Sequence, residues 1–159
     1  MGVVVKWSVI LAVLVAILSL VIAMTGLHTH PLAGGLLSIG IAIIMNIAVV
    51  FMALRETAGE NTWGGQALNS LLIGLVAGVL IFASSYVILS MIFPDYLNEM
   101  ADGHREFLAA GGLPGDQVET QVAAIRATTP ASQSLSGLLG TFVTSLLSGA
   151  IIGIFLRRK

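Results

Sequence analysis

Residues Ser8–Met24 read SVILAVLVAILSLVIAM, a run without a single charge. The run is apolar on every face of a helix and has no period-2 alternation, so it matches neither a surface helix nor a half-buried strand. In hydrocarbon only a helix or a closed barrel satisfies the backbone, and an unbroken apolar pattern selects the helix. Three more uncharged stretches follow, Leu32–Leu54, Trp63–Phe93 and Thr128–Leu156. Each holds the roughly 20 apolar residues that a helix needs to cross ~30 Å of lipid. With polar ends trimmed, spans are expected near 5–26, 32–54, 67–93 and 134–156. The expected fold is all-α: one domain over 1–159, an integral membrane four-helix bundle. The first span follows Lys6 as a signal peptide would. Its apolar run exceeds the usual 7–15 residues of a signal core, so it is expected to stay as an anchor.

Composition agrees with this class. Of 159 residues, 57% are hydrophobic and 9% charged, and mean hydropathy is +1.00, far from the balance of a water-soluble domain. A net charge of −1 gives no basis for nucleic-acid binding, and the absence of cysteine removes disulfides, thiolate nucleophiles and cysteine-rich metal sites. The charges fall at Lys6, Arg55–Glu60, Asp95–Glu106, Asp116–Arg126 and Arg157–Lys159. Only Lys and Arg set orientation. With both termini cytoplasmic, Lys6, Arg55, Arg157, Arg158 and Lys159 lie inside and Arg105 and Arg126 outside, five against two. The expected location is therefore a bacterial inner membrane, with the His28–Pro31 turn and the long segment after the third span on the outer side.

That segment is expected to form an extracytoplasmic amphipathic helical hairpin over about 95–129. Tyr96, Leu97, Met100, His104, Phe107 and Leu108 recur at spacings of three and four, an apolar stripe suited to packing on the bundle. GGLPG, Gly111–Gly115, breaks the chain, and Asp116 with Glu119 has the spacing of a capping box. A second helix then runs through Val118, Val122 and Ile125 and stops before Pro130. The pair carries six of the eight acids, which disfavours attraction to anionic lipid.

The run WGGQALNSLLIGLVAGVL from Trp63, FPDYLNEM from Phe93, the acidic helical stretch and the Gly-rich last span ending in FLRRK together form a pattern. From about Trp63 to Lys159 it resembles the bacterial four-helix membrane proteins of domain-of-unknown-function family 4199. The resemblance implies the topology and no activity.

Small residues recur every fourth position in the last span, at Gly137, Thr141, Ser145, Gly149 and Gly153, beside a second row of Gly140, Thr144 and Ser148. Such rows let helix backbones approach closely, either within one bundle or across a homo-oligomer interface. Gly74 and Gly78 give the third span a similar face. Polar residues inside spans point to pathways or to interhelical hydrogen bonds. Here they are Asn46, Asn69 and Gln66, with Ser84, Ser85 and Tyr86; an Asn46–Asn69 bond or a polar lining for a small neutral solute both fit. No Asp, Glu, Lys, Arg or His falls within an expected span, which leaves proton- or sodium-coupled transport without a carboxylate.

His28, His30 and His104 share the outer side, and with Glu99 or Asp102 three or four donors are available for zinc or copper. Packing on the apolar stripe accounts equally for His104. No serine within a span has a histidine or lysine in sequence reach, and no strand-to-helix phosphate loop is present, so neither enzyme activity nor a cofactor is expected. Two function classes follow. One is a structural or interaction protein that self-associates or docks a partner through its outer hairpin. The other is an oligomeric channel or carrier for a small neutral solute, with metal binding as a third reading.

Overall fold

A computed structural model describes residues 2–157, and the charges at Arg158 and Lys159 lie outside it. The described chain is all-α. Helices α1 (Gly2–Met24), α2 (Ser38–Glu56), α3 (Trp63–Val87) and α6 (Pro130–Leu156) are long and apolar; α4 (Tyr96–Ala110) and α5 (Gly115–Arg126) are short and amphipathic. α2 is preceded by a π-helical stretch, Pro31–Leu37, and α3 is continued by another, Ile88–Ile92. With these extensions, four helices are long and apolar enough to cross a membrane: Gly2–Met24, Pro31–Glu56, Trp63–Ile92 and Pro130–Leu156. Large apolar side chains such as Ile17, Ile44, Leu147, Ile151 and Phe155 point outward, a surface compatible with lipid and not with water.

The most extensive packing in the molecule is between α3 and α6. It is close because the row ending in Gly149 and Gly153 meets α3. A Cβ on Gly149 would collide with Ser70, one on Gly153 would come 3.1 Å from Gln66 Cβ, and one on Gly74 of α3 would come 2.7 Å from Ser145 Cβ. The row Gly137–Gly153 thus packs inside the chain. α1 lies against α3 and α2, and their core is formed by Leu11, Ala12, Val49, Ala77 and Ile81.

The two ends of the bundle are tied differently. At one end Lys6 pairs with Glu56, and the Gly59 N–H donates to Leu156 O at 3.4 Å. Gln66, fully buried, there donates to Leu54 O (3.3 Å), Thr57 O (3.1 Å) and Leu156 O (3.4 Å) and accepts from Thr57 Oγ1 (3.0 Å). One amide thus satisfies carbonyls that the ends of α2 and α6 leave open. At the other end α4 sits on the Leu27–Thr29 turn, so close that a Cβ on Gly103 would strike the Thr29 carbonyl.

α4 and α5 pack through Ala101, Val118 and Val122, with the ion pairs Arg105–Glu119 (2.9 Å) and Arg126–Asp102 (2.6 Å) on the surface. Two local expectations are corrected. Phe107 is 46% exposed, and the buried positions of α4 are Leu97 and Ala101, because the close approach of Gly103 to Thr29 rotates Phe107 out of the contact. Asp116 does not cap α5: the helix opens at Gly115 after Pro114, placing Asp116 in the first turn, while Glu119 pairs with Arg105. A capping box does open α6, from Thr129 and Ser132.

Candidate functional site

Between α1, α2, α3 and α6, in the half nearer α4, lies a cavity of about 410 Å³. Its floor follows from Asn46. Asn46 is 3% exposed; its Nδ2 donates to Thr141 O (3.2 Å) and its Oδ1 accepts from Ser145 Oγ (3.1 Å). The expected partner Asn69 is half-buried elsewhere on α3, so the bond that ties α2 runs to α6 instead. Below this knot the packed cluster of Leu11, Val49, Ala77 and Ile81 closes the space. The roof is Tyr96, which opens α4. Its ring stacks on His28, centroids 4.2 Å apart and planes 14° apart, and His28 Nε2 donates to Glu99 Oε2 at 2.8 Å. Burial raises the Tyr96 phenol above its usual pKa, so it stays a neutral donor.

The walls are built by helical register. Gln133, Ser136, Gly140 and Thr144 lie at successive spacings of three or four on α6 and face the cavity together with Gly137 and Thr141. α3 contributes Ser85, Ile88 and Leu89, α2 contributes Ile39, Ala42 and Ile43, and α1 contributes Val15 and Ser19. No lining residue is charged. Ser19 and Ser136 hydrogen-bond their own helix backbone, at 3.0 and 3.1 Å. Among the described residues, the side chains of Ser85, Tyr96, Gln133, Thr141 and Thr144 have no partner in the protein while facing this space. Of the expected polar lining, Asn46 and Ser85 are brought to the cavity; Asn69 is not, and Ser84 turns back to Ile81 O at 3.1 Å.

The histidines do not converge. His28 is buried against Tyr96 and Glu99, His104 Nδ1 donates to Met100 O at 2.9 Å, and His30 is exposed beside a shallow groove. Among the described residues no three His, Asp or Glu side chains lie close enough to hold a metal ion. Helix geometry is the reason: His28 and His104 are each committed to a local bond that turns them away from a common centre.

A family model described as a protein of unknown function, DUF4199, matches residues 6–158, all four long helices and the outer pair included. The chain belongs to the DUF4199 family. Comparison with curated proteins and with solved structures gives no match. The match extends the resemblance, read from Trp63 onward, to α1 and α2, which supply Ser19 and Asn46 to the cavity of this DUF4199 chain. Sequence reasoning missed Gln133, Ser136, Ser19 and Tyr96 as lining. The available signal was Gln133, a long polar side chain in helical register with Gly140 and Thr144.

Proposed function

We propose that this chain is a non-enzymatic bacterial inner-membrane protein that holds a small uncharged molecule in the outer half of a four-span bundle. Both termini and the α2–α3 connection lie at one end. The excess of Lys and Arg there, five against two, supports a cytoplasmic placement and leaves α4 and α5 as an extracytoplasmic hairpin.

The observation that carries the reading is the charge-free cavity, with five unpartnered hydroxyl and amide side chains at span depth. A polar group without a partner is costly in such surroundings, and a ligand's own donors and acceptors relieve that cost. Tyr96 is the single titratable residue in the lining, and no general base stands beside the hydroxyls, which supports binding without turnover. The Asn46 knot and the core beneath it support a site rather than an open channel.

Docking of a protein partner on the outer helices is the second reading, favoured by half-exposed Phe107 beside the groove that His30 and Leu32 border. Self-association through the row Gly137–Gly153 is not proposed, because α3 already occupies that face.

The test is extraction in polymer-bounded membrane discs followed by quantification of small molecules per chain. Wild type should retain close to one uncharged molecule. The Thr141→Val, Thr144→Val double variant should retain it about tenfold less, as expected for hydrogen bonds worth ~1 kcal/mol each. Empty wild type, or equal retention in both, overturns the reading.

A further inference from the structure

The lining of the cavity divides by exposure. The contributions of α1, α3 and α4 are buried or half-buried, whereas the exposed lining residues all lie on α2 and α6: Ile39 and Ile43 on one side, Gln133, Ser136 and Gly140 on the other. The mouth is therefore a slot between two spans. It faces sideways, where the bilayer lies, and Asn46 bonded to α6 closes it at its lower end. A solute from water would have to pass Tyr96, whose ring is held by His28.

Size narrows the occupant further. A volume of about 410 Å³ corresponds to roughly a dozen water-sized groups, each close to a methylene in bulk. That is room for one chain or part of one, and too little for the two chains of a phospholipid. The polar side chains Gln133, Ser136 and Ser85 lie toward the outer end, beside the apolar Ile39 and Ile43, and no counter-charge is present for an ionic head. Burial of an unpaired charge there is disfavoured.

On the binding reading above, we infer that the slot takes a single-chain, uncharged, hydroxyl-bearing amphiphile directly from the outer leaflet. Lateral entry accounts for the apolar rim, the uncharged polar groups behind it and the roof over the aqueous side.

The experiment uses the full chain in nanodiscs of two-chain phospholipids, doped in turn with monooleoylglycerol, with the anionic lysophosphatidylglycerol of the same chain, and with free glycerol. Native mass spectrometry counts the probe retained when the protein leaves the disc. One monooleoylglycerol per chain is expected, with the anionic probe retained about tenfold less, since its charge would enter the slot unpaired. The Gly140→Leu variant should lose the retained probe. A Cβ at Gly140 meets no atom within 4 Å, so the variant fills the slot without a clash, and its thermal unfolding should match wild type. Equal retention of the anionic probe, or undiminished retention in a folded Gly140→Leu, overturns the inference. If glycerol alone is retained, the single-chain claim falls and the binding reading stands. If all three probes are lost while polymer discs still yield a native small molecule, the same division holds. If those discs are empty too, both fall.

Discussion

The Ser145 hydroxyl donates to Asn46 Oδ1 while its Cβ fills the space left by Gly74, so one residue serves both a hydrogen bond and a close helix contact. Ser145→Ala keeps the Cβ and removes only the bond. Its cost should be ~0.5–1 kcal/mol, the usual scale for interhelical bonds at membrane depth, measured by thermal unfolding in nanodiscs. Gln66 is more exacting, because three backbone carbonyls depend on its amide. Gln66→Leu should cost about 2–3 kcal/mol, since buried acceptors lose their donors. Tyr96 gives a pH dependence with a definite sign. Its phenol titrates above the ordinary tyrosine value because burial disfavours the anion. Its contribution is complete below about pH 10 and is lost as pH rises through the higher folded value. Tyr96→Phe should therefore reduce the alkaline fall in melting temperature while leaving the neutral-pH profile in place; an unchanged alkaline limb would remove the phenol from this role.

At the scale of elements, α6 presents two small rows that look alike in one dimension and have opposite fates. Gly149 and Gly153 meet Ser70 and Gln66, while Gly140 and Thr144 face the cavity. Gly149→Leu should abolish folded protein in size-exclusion chromatography, whereas Gly140→Leu should elute as wild type. The spans themselves were legible because runs such as Ser8–Met24 are apolar on all faces, a property local to the sequence. Their ends were less so: Pro31–Leu37 winds with π geometry into α2, a register change that no local preference specifies. The cavity was half legible. Asn46 and Ser85 were visible as polar residues at depth, but Thr141 and Gly140 read as packing, since whether a small residue touches a neighbour depends on which helix stands opposite. The same dependence misplaced Phe107, whose spacing fits the stripe of α4 although Gly103 sets the contact with Thr29. Phe107→Ser should change the melting temperature little, the effect expected of a half-exposed side chain.

At the scale of the whole molecule, the ends of the bundle separate two sets of polar groups, one around Gln66 and one around His28 and Glu99. Which set faces the cytoplasm is testable because the chain has no cysteine. Gly59 and Gly112 have φ of 80° and 77°, so neighbouring exposed alanines are better labelling positions. Ala110→Cys should react with an impermeant thiol reagent in intact cells, and Ala58→Cys only after permeabilisation; the opposite pattern would invert the topology. The absence of charge from the cavity lining bears on a quantity of the living membrane. Moving one elementary charge through 100 mV takes ~2.3 kcal/mol, so sites that handle ions respond to the cell's energy state. A lining and an occupant without charge do no electrical work when the field changes. Occupancy should then be the same in respiring cells and in cells collapsed with an uncoupler, which makes the site a reporter of what the bilayer contains and leaves it blind to voltage.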